Sequence, residues 1–468
     1  LETRVTDDEV FHFYNGWIDF AFNTGNAECL SDAAQHLLSV GYRRQSQKLV
    51  GRAHLGLSGV ADLRDQPLEG LQYLEEARPY LEQSGSPVLW LRFHNRRGGF
   101  LILLNRYVEA IRDLEQAMNQ VEDPSDAAQI EALGNVRYRL AQAYLQNGWP
   151  ARSLKQGELL LEESRALFNH AGGLHATTTI AIAEHFMGRY AASIEHARTA
   201  LRMVAPMKNP WLAGTIHVSL AKALLAAGHL DEAWEQAGLA LEIASSLRAP
   251  RISAQAHRVQ GDVMGFLDNF DEAEKCFRQG VKAADPNYSM VDNQFRLGWL
   301  LVNRGRVEEG NAIVDEVIRF CHKNELTLHL MPAQVAKAWS LLAQGRMKDA
   351  VKAARAVAAM AVERGMLPVR AMAFTVLAAA ALQDGRPDEA AQKGRVVLRE
   401  GREMGNPGLE TRSIGLVLTT LDPTSPEALE LRARAGQLLV ELEQNCRSPV
   451  LRPSYEKFME NFAKLQIR

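Results

Sequence analysis

Three histidines, His170, His175 and His185, lie close together in the chain, the first two on either side of Gly172-Gly173. Imidazoles so grouped are what a transition metal takes, but a metal site needs further donors, and no Cys or carboxylate follows at ligand spacing. We therefore expect a turn at the two glycines, exposed or capping histidines, and no metal. Cys321-His322 reads as the structural end of a helix, and the acidic pairs Glu75-Glu76 and Glu162-Glu163 as solvated helix faces. The four cysteines, Cys29, Cys276, Cys321 and Cys446, form no CxxC pair and are too sparse for a disulfide framework, so they are expected to be reduced, mostly buried thiols of a cytoplasmic protein. A GxxxxGK[ST] phosphate loop, a GxGxxG after a strand, an HExxH and a GxSxG elbow are all missing. Nothing here supplies a nucleophile, a base or a cofactor cradle. The expectation is a protein that binds other molecules, neither an enzyme nor a cofactor carrier.

Composition narrows the partner. Of 468 residues, 47% are hydrophobic and 23% charged, with a formal net charge of -3. That is enough apolar material for a continuous core. It offers no general excess of positive charge to hold nucleic acid or an anionic membrane. No apolar run approaches the ~20 residues that span a bilayer. No basic-then-apolar leader opens the chain, and the first residue is Leu1 rather than Met, as expected of a piece of a longer protein.

The elements that must position any binding group are set by a repeat. Short loops recur: Asn105-Arg-Tyr-Val-Glu-Ala110, Gly188-Arg-Tyr-Ala-Ala-Ser193, Gly228-His-Leu-Asp-Glu-Ala233, Asp268-Asn-Phe-Asp-Glu-Ala273, Gly305-Arg-Val-Glu-Glu-Gly310, Gly345-Arg-Met-Lys-Asp-Ala350 and Gly385-Arg-Pro-Asp-Glu-Ala390. Earlier copies start at Gly25, Asp65 and Gly148, and a degenerate last one runs from Pro423 to Ala428. The steps between first positions, from 25 to 385, are 40, 40, 43, 40, 40, 40, 37, 40 and 40 residues. Each position has a mechanical task. The first ends a helix in the left-handed conformation. The third tucks an apolar side chain under the turn. The acidic residues that follow favour the positive end of the next helix. The sixth is small in every copy from Gly70 to Ala428, which places it where two helices cross. The flanking segments carry apolar residues three and four apart, as helices do. Thr6 and Glu9 match a capping box at the first helix. Prolines are expected between hairpins, at Pro87, Pro124, Pro206, Pro250, Pro286, Pro332, Pro368 and Pro407.

This pattern resembles the tetratricopeptide repeat family. A small residue stands seven places before most turns (Gly98, Ala141, Ala181, Ala221, Gly261, Gly298, Ala338, Ala378), and a further alanine follows at Ala77, Ala117, Ala200 and Ala240. The family period is nearer 34 residues, so both helices are longer here, which resembles the helical arms of maltose-activator-type bacterial regulators. The resemblance implies an all-α fold: a right-handed α-solenoid of about eleven helix-turn-helix hairpins over residues 1–445, with a capping helix in residues 446–468.

The resemblance also implies that the first helix of each hairpin lines an inner groove through the residues thirteen, ten, nine, six and three places before its turn. That frame selects Arg92, Asn95, Arg96, Gly99 and Ile102 in one hairpin, and Asn135, Tyr138, Arg139, Gln142 and Leu145 in the next. Arg52 and Asp62 precede them, while His175, His185, Lys222, Arg258 and Asp262 follow. Guanidinium groups offer paired donors that match carboxylates, and amides can hold an extended backbone. Further on, Trp299 and Trp339 stand at equivalent places and could form an apolar shelf. The expected binding residues are therefore Arg92, Asn95, Arg96, Asn135, Arg139, Gln142, Trp299 and Trp339. The expected function is a regulatory arm that binds a protein segment, a peptide or a small effector, without direct contact to nucleic acid or membrane. The alternative is a free-standing adaptor of the co-chaperone kind.

Overall fold

The computed structural model describes residues 5–121, 126–283 and 288–466. Among these residues the regular elements are helices, with no strand. In chain order they are α1 (Asp7–Asn23) and α2 (Ala27–Arg44), α3 (Gln47–Leu63) and α4 (Pro67–Ser84), α5 (Pro87–Leu103) and α6 (Tyr107–Asn119), α7 (Ala127–Gln146) and α8 (Pro150–Ala166). Next come α9 (His170–Met187) and α10 (Tyr190–Val204), α11 (Pro210–Ala226) and α12 (Leu230–Leu247), α13 (Pro250–Phe266) and α14 (Phe270–Ala283), α15 (Tyr288–Asn303) and α16 (Val307–Lys323). The rest are α17 (Thr327–Ala343) and α18 (Met347–Arg364), α19 (Leu367–Gln383) and α20 (Pro387–Met404), α21 (Pro407–Leu418) and α22 (Pro426–Gln444), with α23 (Arg452–Gln466) on its own. Contacts group the chain into two compact units: Leu1–Asn147 with Lys155–Ala176, and Gly148–Leu154 with Thr177–Arg468.

The turns work as their residue types dictate. Gly25, Asp65, Asn105, Gly148, Gly188, Gly228, Asp268, Gly305, Gly345 and Gly385 all have positive φ. In each of the best-formed turns the next residue donates its N–H to a carbonyl five positions back, as Arg106 does to Leu101 at 2.8 Å and Arg306 to Leu301 at 2.9 Å. That bond closes the carbonyls the helix end leaves open. At the start of α1, Thr6 and Glu9 form the reciprocal capping box.

Two turn expectations need correction. Gly172-Gly173 is not a turn but lies inside α9; the break falls at Phe168, whose φ is 52°. Gly172 is needed for space, because a Cβ there would lie 2.5 Å from Ser164 Oγ. Pro332 is not between hairpins but within α17. There the break is made by Glu325, φ 54°, which let the helix start before the proline. Pro124 and Pro286 lie outside the described residues.

The small residues hold the hairpins together. Gly70, Ala110, Ser153, Ser193, Ala233, Ala273, Gly310, Ala350, Ala390 and Ala428, the sixth positions, are all buried. A Cβ on Gly70 would overlap the ring of Phe100, which is itself 1% exposed; burying such a ring contributes about 2–3 kcal/mol. A Cβ on Gly98 would come 2.7 Å from Leu114, and one on Gly261 2.5 Å from Phe277. Gly298 and Gly310 meet backbone to backbone.

The second unit coils over itself. The turn at Gly148 lies against Thr327 and Met331, the turn at Gly188 against Pro368 and Met404, and the turn at Gly228 against Pro407. Polar contacts fasten this seam: Asp231 accepts from the backbone N–H of Arg447 at 2.6 Å, and Asn269 donates to Ser454 at 2.9 Å. Small rotations from hairpin to hairpin add up until later helices return beneath earlier turns.

Candidate binding surfaces

In the first unit the first helices α1, α3, α5 and α7 assemble a wall of arginines. Asn15 and Asp19 stand one turn apart on α1, joined at 3.0 Å. Arg52 of α3 donates Nε to Asn15 and Nη2 to Asp19, both at 2.7 Å. Arg92 of α5 reaches the same two groups, at 3.0 and 3.2 Å. Two guanidiniums from successive hairpins thus share a single carboxylate. Arg96 donates to Asp62 at 2.5 Å and lies 4.1 Å over the ring of Phe22. Its Nη2 sits 3.5 Å from where a Cβ of Gly59 would be, and Arg139 of α7 lies equally close on Gly99, at 3.4 Å. At both places a guanidinium of the next hairpin lies in van der Waals contact with the place a Cβ would take, at Gly59 together with Leu30 and Phe22.

The charge balance of this wall is uneven. Arg52, Arg92, Arg96 and Arg139 face Asp19 and Asp62. Arg139 donates to Gln142 at 3.2 Å, and among the described residues it has no carboxylate within ion-pair distance. Arg52 is 3% exposed, and burial lowers its guanidinium to about 10 although Asp19 opposes the shift. Burial also lowers Arg96, again against the pull of its carboxylate. Both remain charged at neutral pH.

The structure brings Arg92, Arg96, Arg139 and Gln142 onto this wall. Asn95 is half-buried on the same helix as Arg92 and Arg96, and Asn135 is exposed. Among the described residues neither amide has a partner. Asn135 and Tyr138 instead line an open cleft with Glu163, Ser164 and His175. Leu145 is buried and does not face a groove. Asn15 and Asp19 were not among the expected residues. They stand ten and six places before the turn at Gly25, so the frame that selected the later residues reaches them too.

The histidine expectation is corrected here. Only His170 is exposed; His175 and His185 are half-buried. The ring of His175 lies 4.5 Å from that of Tyr138, and burial, then the charge of Arg139, lowers its pKa. Burial drives His185 down to about 3, helped by Arg258 and Lys222. Both imidazoles are neutral at pH 7 because the helices of each unit crowd water away from them.

In the second unit the corresponding wall is also charged. Arg296 places Nε 2.8 Å from each oxygen of Asp262, and Arg258 donates to Asp262 at 3.1 Å. Asp292 receives His329 Nδ1 at 3.0 Å. Burial alone would raise the Asp292 carboxyl; His329, Arg258 and Arg296 instead bring it well below the usual carboxylate range. Trp299 and Trp339, on α15 and α17, are both half-buried. They are linked through Asn303, which accepts from the Trp339 indole at 2.7 Å and donates to the Trp299 carbonyl at 3.0 Å.

Residues 335–404 match the tetratricopeptide repeat model. The fold around that match is an all-helical repeat solenoid. Solved structures agree at low identity. The crystal structure of a Rap protein complexed with Competence and Sporulation Factor aligns with a TM-score of 0.60 at 14% identity, over 76% of this chain and 98% of that one. The apo form of the quorum sensor NprR from B. thuringiensis aligns with a TM-score of 0.51 at 15% identity, over 74% of this chain and 98% of that one. A search of curated proteins gives no sequence match. Among the described residues no helix of this solenoid is long and apolar enough to cross a membrane, and no group of His, Cys, Asp or Glu could hold a metal ion.

Proposed function

We propose that this solenoid is a non-catalytic regulatory arm of a cytoplasmic protein, and that the arginine wall of its first unit binds an extended, carboxylate-bearing segment of a partner protein. The supporting observation is the surplus of positive charge: four guanidiniums from α3, α5 and α7 face two carboxylates. Charge-assisted bonds from a planar guanidinium are among the strongest polar contacts available to a peptide. Asn95, on the same helix as Arg92 and Arg96, supplies an amide that an extended backbone can use on both its donor and acceptor sides. The Rap structure, with its bound factor, supports the reading that a stack of this fold receives a partner.

The test is selection from a displayed random heptapeptide library on the full chain. Enriched sequences should carry Asp, Glu or a free C-terminus. Their affinity should fall at least tenfold in a variant with Arg92, Arg96 and Arg139 all changed to Ala, and should fall as salt rises. Enrichment of basic or uncharged peptides, or affinity indifferent to the triple change, would remove the arginine wall from the function.

A further inference from the structure

Successive first helices of the second unit each place a cation on the inner wall: Lys222 on α11, Arg258 on α13 and Arg296 on α15. The carboxylates opposite are already engaged. Asp262 receives Arg296 and Arg258, and Asp292 receives His329 with Arg296 at 3.8 Å. Lys222 is left with a neutral partner, donating Nζ to Gln255 at 2.7 Å, and no carboxylate lies within 4 Å of it among the described residues. The coil then adds another cation. Arg412 of α21 lies 5.9 Å from the ring of Trp299, also without a carboxylate at ion-pair distance. Crowding a cation by protein without a counter-charge is unfavourable. A cation held in this way is stabilised when an anion arrives.

The geometry points to an oxyanion site on this wall: we propose that Lys222, with Arg258 beside it, binds the phosphate or carboxylate group of a small anionic ligand. Lys222 is suited to the task because its charge responds to the occupant. Burial lowers its pKa to about 7, with Arg258 and Arg296 acting in the same direction and Asp292 and Asp262 against it. His185, the other titratable group facing it, is already neutral. An oxyanion placed on Nζ restores the charged form, so binding above pH 7 takes up a proton at this lysine. This site is separate from the arginine wall of the first unit and does not rest on it.

The experiment is isothermal calorimetry on the full chain at pH 8, where both probes are fully ionised, in buffers of different ionisation enthalpy. Phenyl phosphate tests the phosphate source and glutarate the carboxylate source. The expected result is binding of one probe below about 10 mM with uptake of up to one proton. Lys222→Met should weaken binding at least tenfold and abolish the uptake. Lys222→Arg, which keeps a fixed charge, should bind without uptake. The triple change of Arg92, Arg96 and Arg139 to Ala should leave the binding unaltered. Absence of binding by both probes, binding by the wild-type chain without proton uptake, or equal binding by Lys222→Met would overturn the proposal.

Discussion

Replacing Gly310 by Ala adds a single methyl group where α16 crosses α15, and the structure sets its consequence. A Cβ there would fall on the carbonyl oxygen of Gly298, 2.8 Å from Val302 Cγ2 and 2.9 Å from Val302 N. Two of these three neighbours are backbone atoms, so no rotamer change relieves the overlap and the helices must part. Overpacking of this kind costs about 1–3 kcal/mol, and the backbone contacts place it near the upper end. Against it works the helix propensity of Ala, which favours the folded state by up to about 1 kcal/mol over Gly. Steric overlap wins, leaving a net loss of about 2 kcal/mol. In a stacked repeat the loss stays in the hairpin and its neighbours. Amide hydrogen exchange should therefore show protection in α15 and α16 reduced about thirtyfold, since 1.4 kcal/mol is a factor of ten. Gly238→Ala in α12 is the control, because nothing lies within 4 Å of a Cβ there. Only the propensity term operates at Gly238, and protection in α12 should rise by up to about fivefold. Unchanged or raised protection in Gly310→Ala would refute the assignment of the small residues to helix crossings.

Arg52→Ala strips Asn15 and Asp19 of their most buried partner but leaves them Arg92, and should lower stability by about 2 kcal/mol through the lost charge-assisted bonds, read by urea denaturation of the first unit's helices. The cost should be much smaller when Asp19→Ala is already present, because Arg52 then has no carboxylate to lose. For Asp292, the depressed carboxyl contributes stability that is complete above the ordinary carboxylate range and lost as pH falls through its lower folded value. Asp292→Asn should consequently flatten the acid limb of the stability profile below about pH 4 while lowering stability at pH 7, measured by thermal melts across pH. Burial pushes Cys276 up to about 11 and Cys321 and Cys446 up to about 12. In the native chain these three thiols should resist a thiolate-specific reagent at pH 8 and react at once in denaturant; fast native labelling of any of them would contradict its placement.

How far the fold was legible depended on whether glycine or its substitutes marked the turns. Within hairpins they did, because a left-handed residue beside a helix crossing is nearly always Gly, Asn or Asp. Between hairpins the chain is less strict: Gln45, Phe168, Lys208, Arg248 and Glu325 all take positive φ with ordinary side chains. Nothing in those residue types announces the conformation; tertiary packing imposes it. That is why residue types alone place a turn at Gly172-Gly173 and a helix boundary at Pro332, where the chain has neither. The arginine wall was half legible. The frame found Arg92, Arg96 and Arg139, but the weak first repeat concealed Asn15 and Asp19. The meeting of Arg412 with Trp299 depends on α21 returning beneath earlier hairpins, a consequence of accumulated rotation that residue spacing does not encode.

Adjacent positions on one helix show why the scaffold and its chemistry can vary separately. Seven places before the turns stand Ile18, Ser58, Gly98, Ala141, Ala181, Ala221, Gly261, Gly298, Ala338 and Ala378, every one buried. One residue later, at places that include Asp19, Gly59, Gly99, Gln142, Lys222, Asp262, Trp299 and Trp339, the type changes from repeat to repeat. A rotation of about 100° around the helix separates the two rows. The first row points between helices, where an added methyl would meet Leu114 at Gly98, Phe277 at Gly261 and the Gly310 backbone at Gly298. The second turns off that interface, where an anion, a cation, an amide or an indole fits the same scaffold. Stability therefore restricts the first row and leaves the second to recognition. The Gly59 and Gly99 places are the informative exceptions, since there the side chain is absent and a guanidinium of the following hairpin lies against the gap. A binding surface built this way is specified across hairpins, by which group of one lies on which gap of the next, and so it has to be read from the assembled wall.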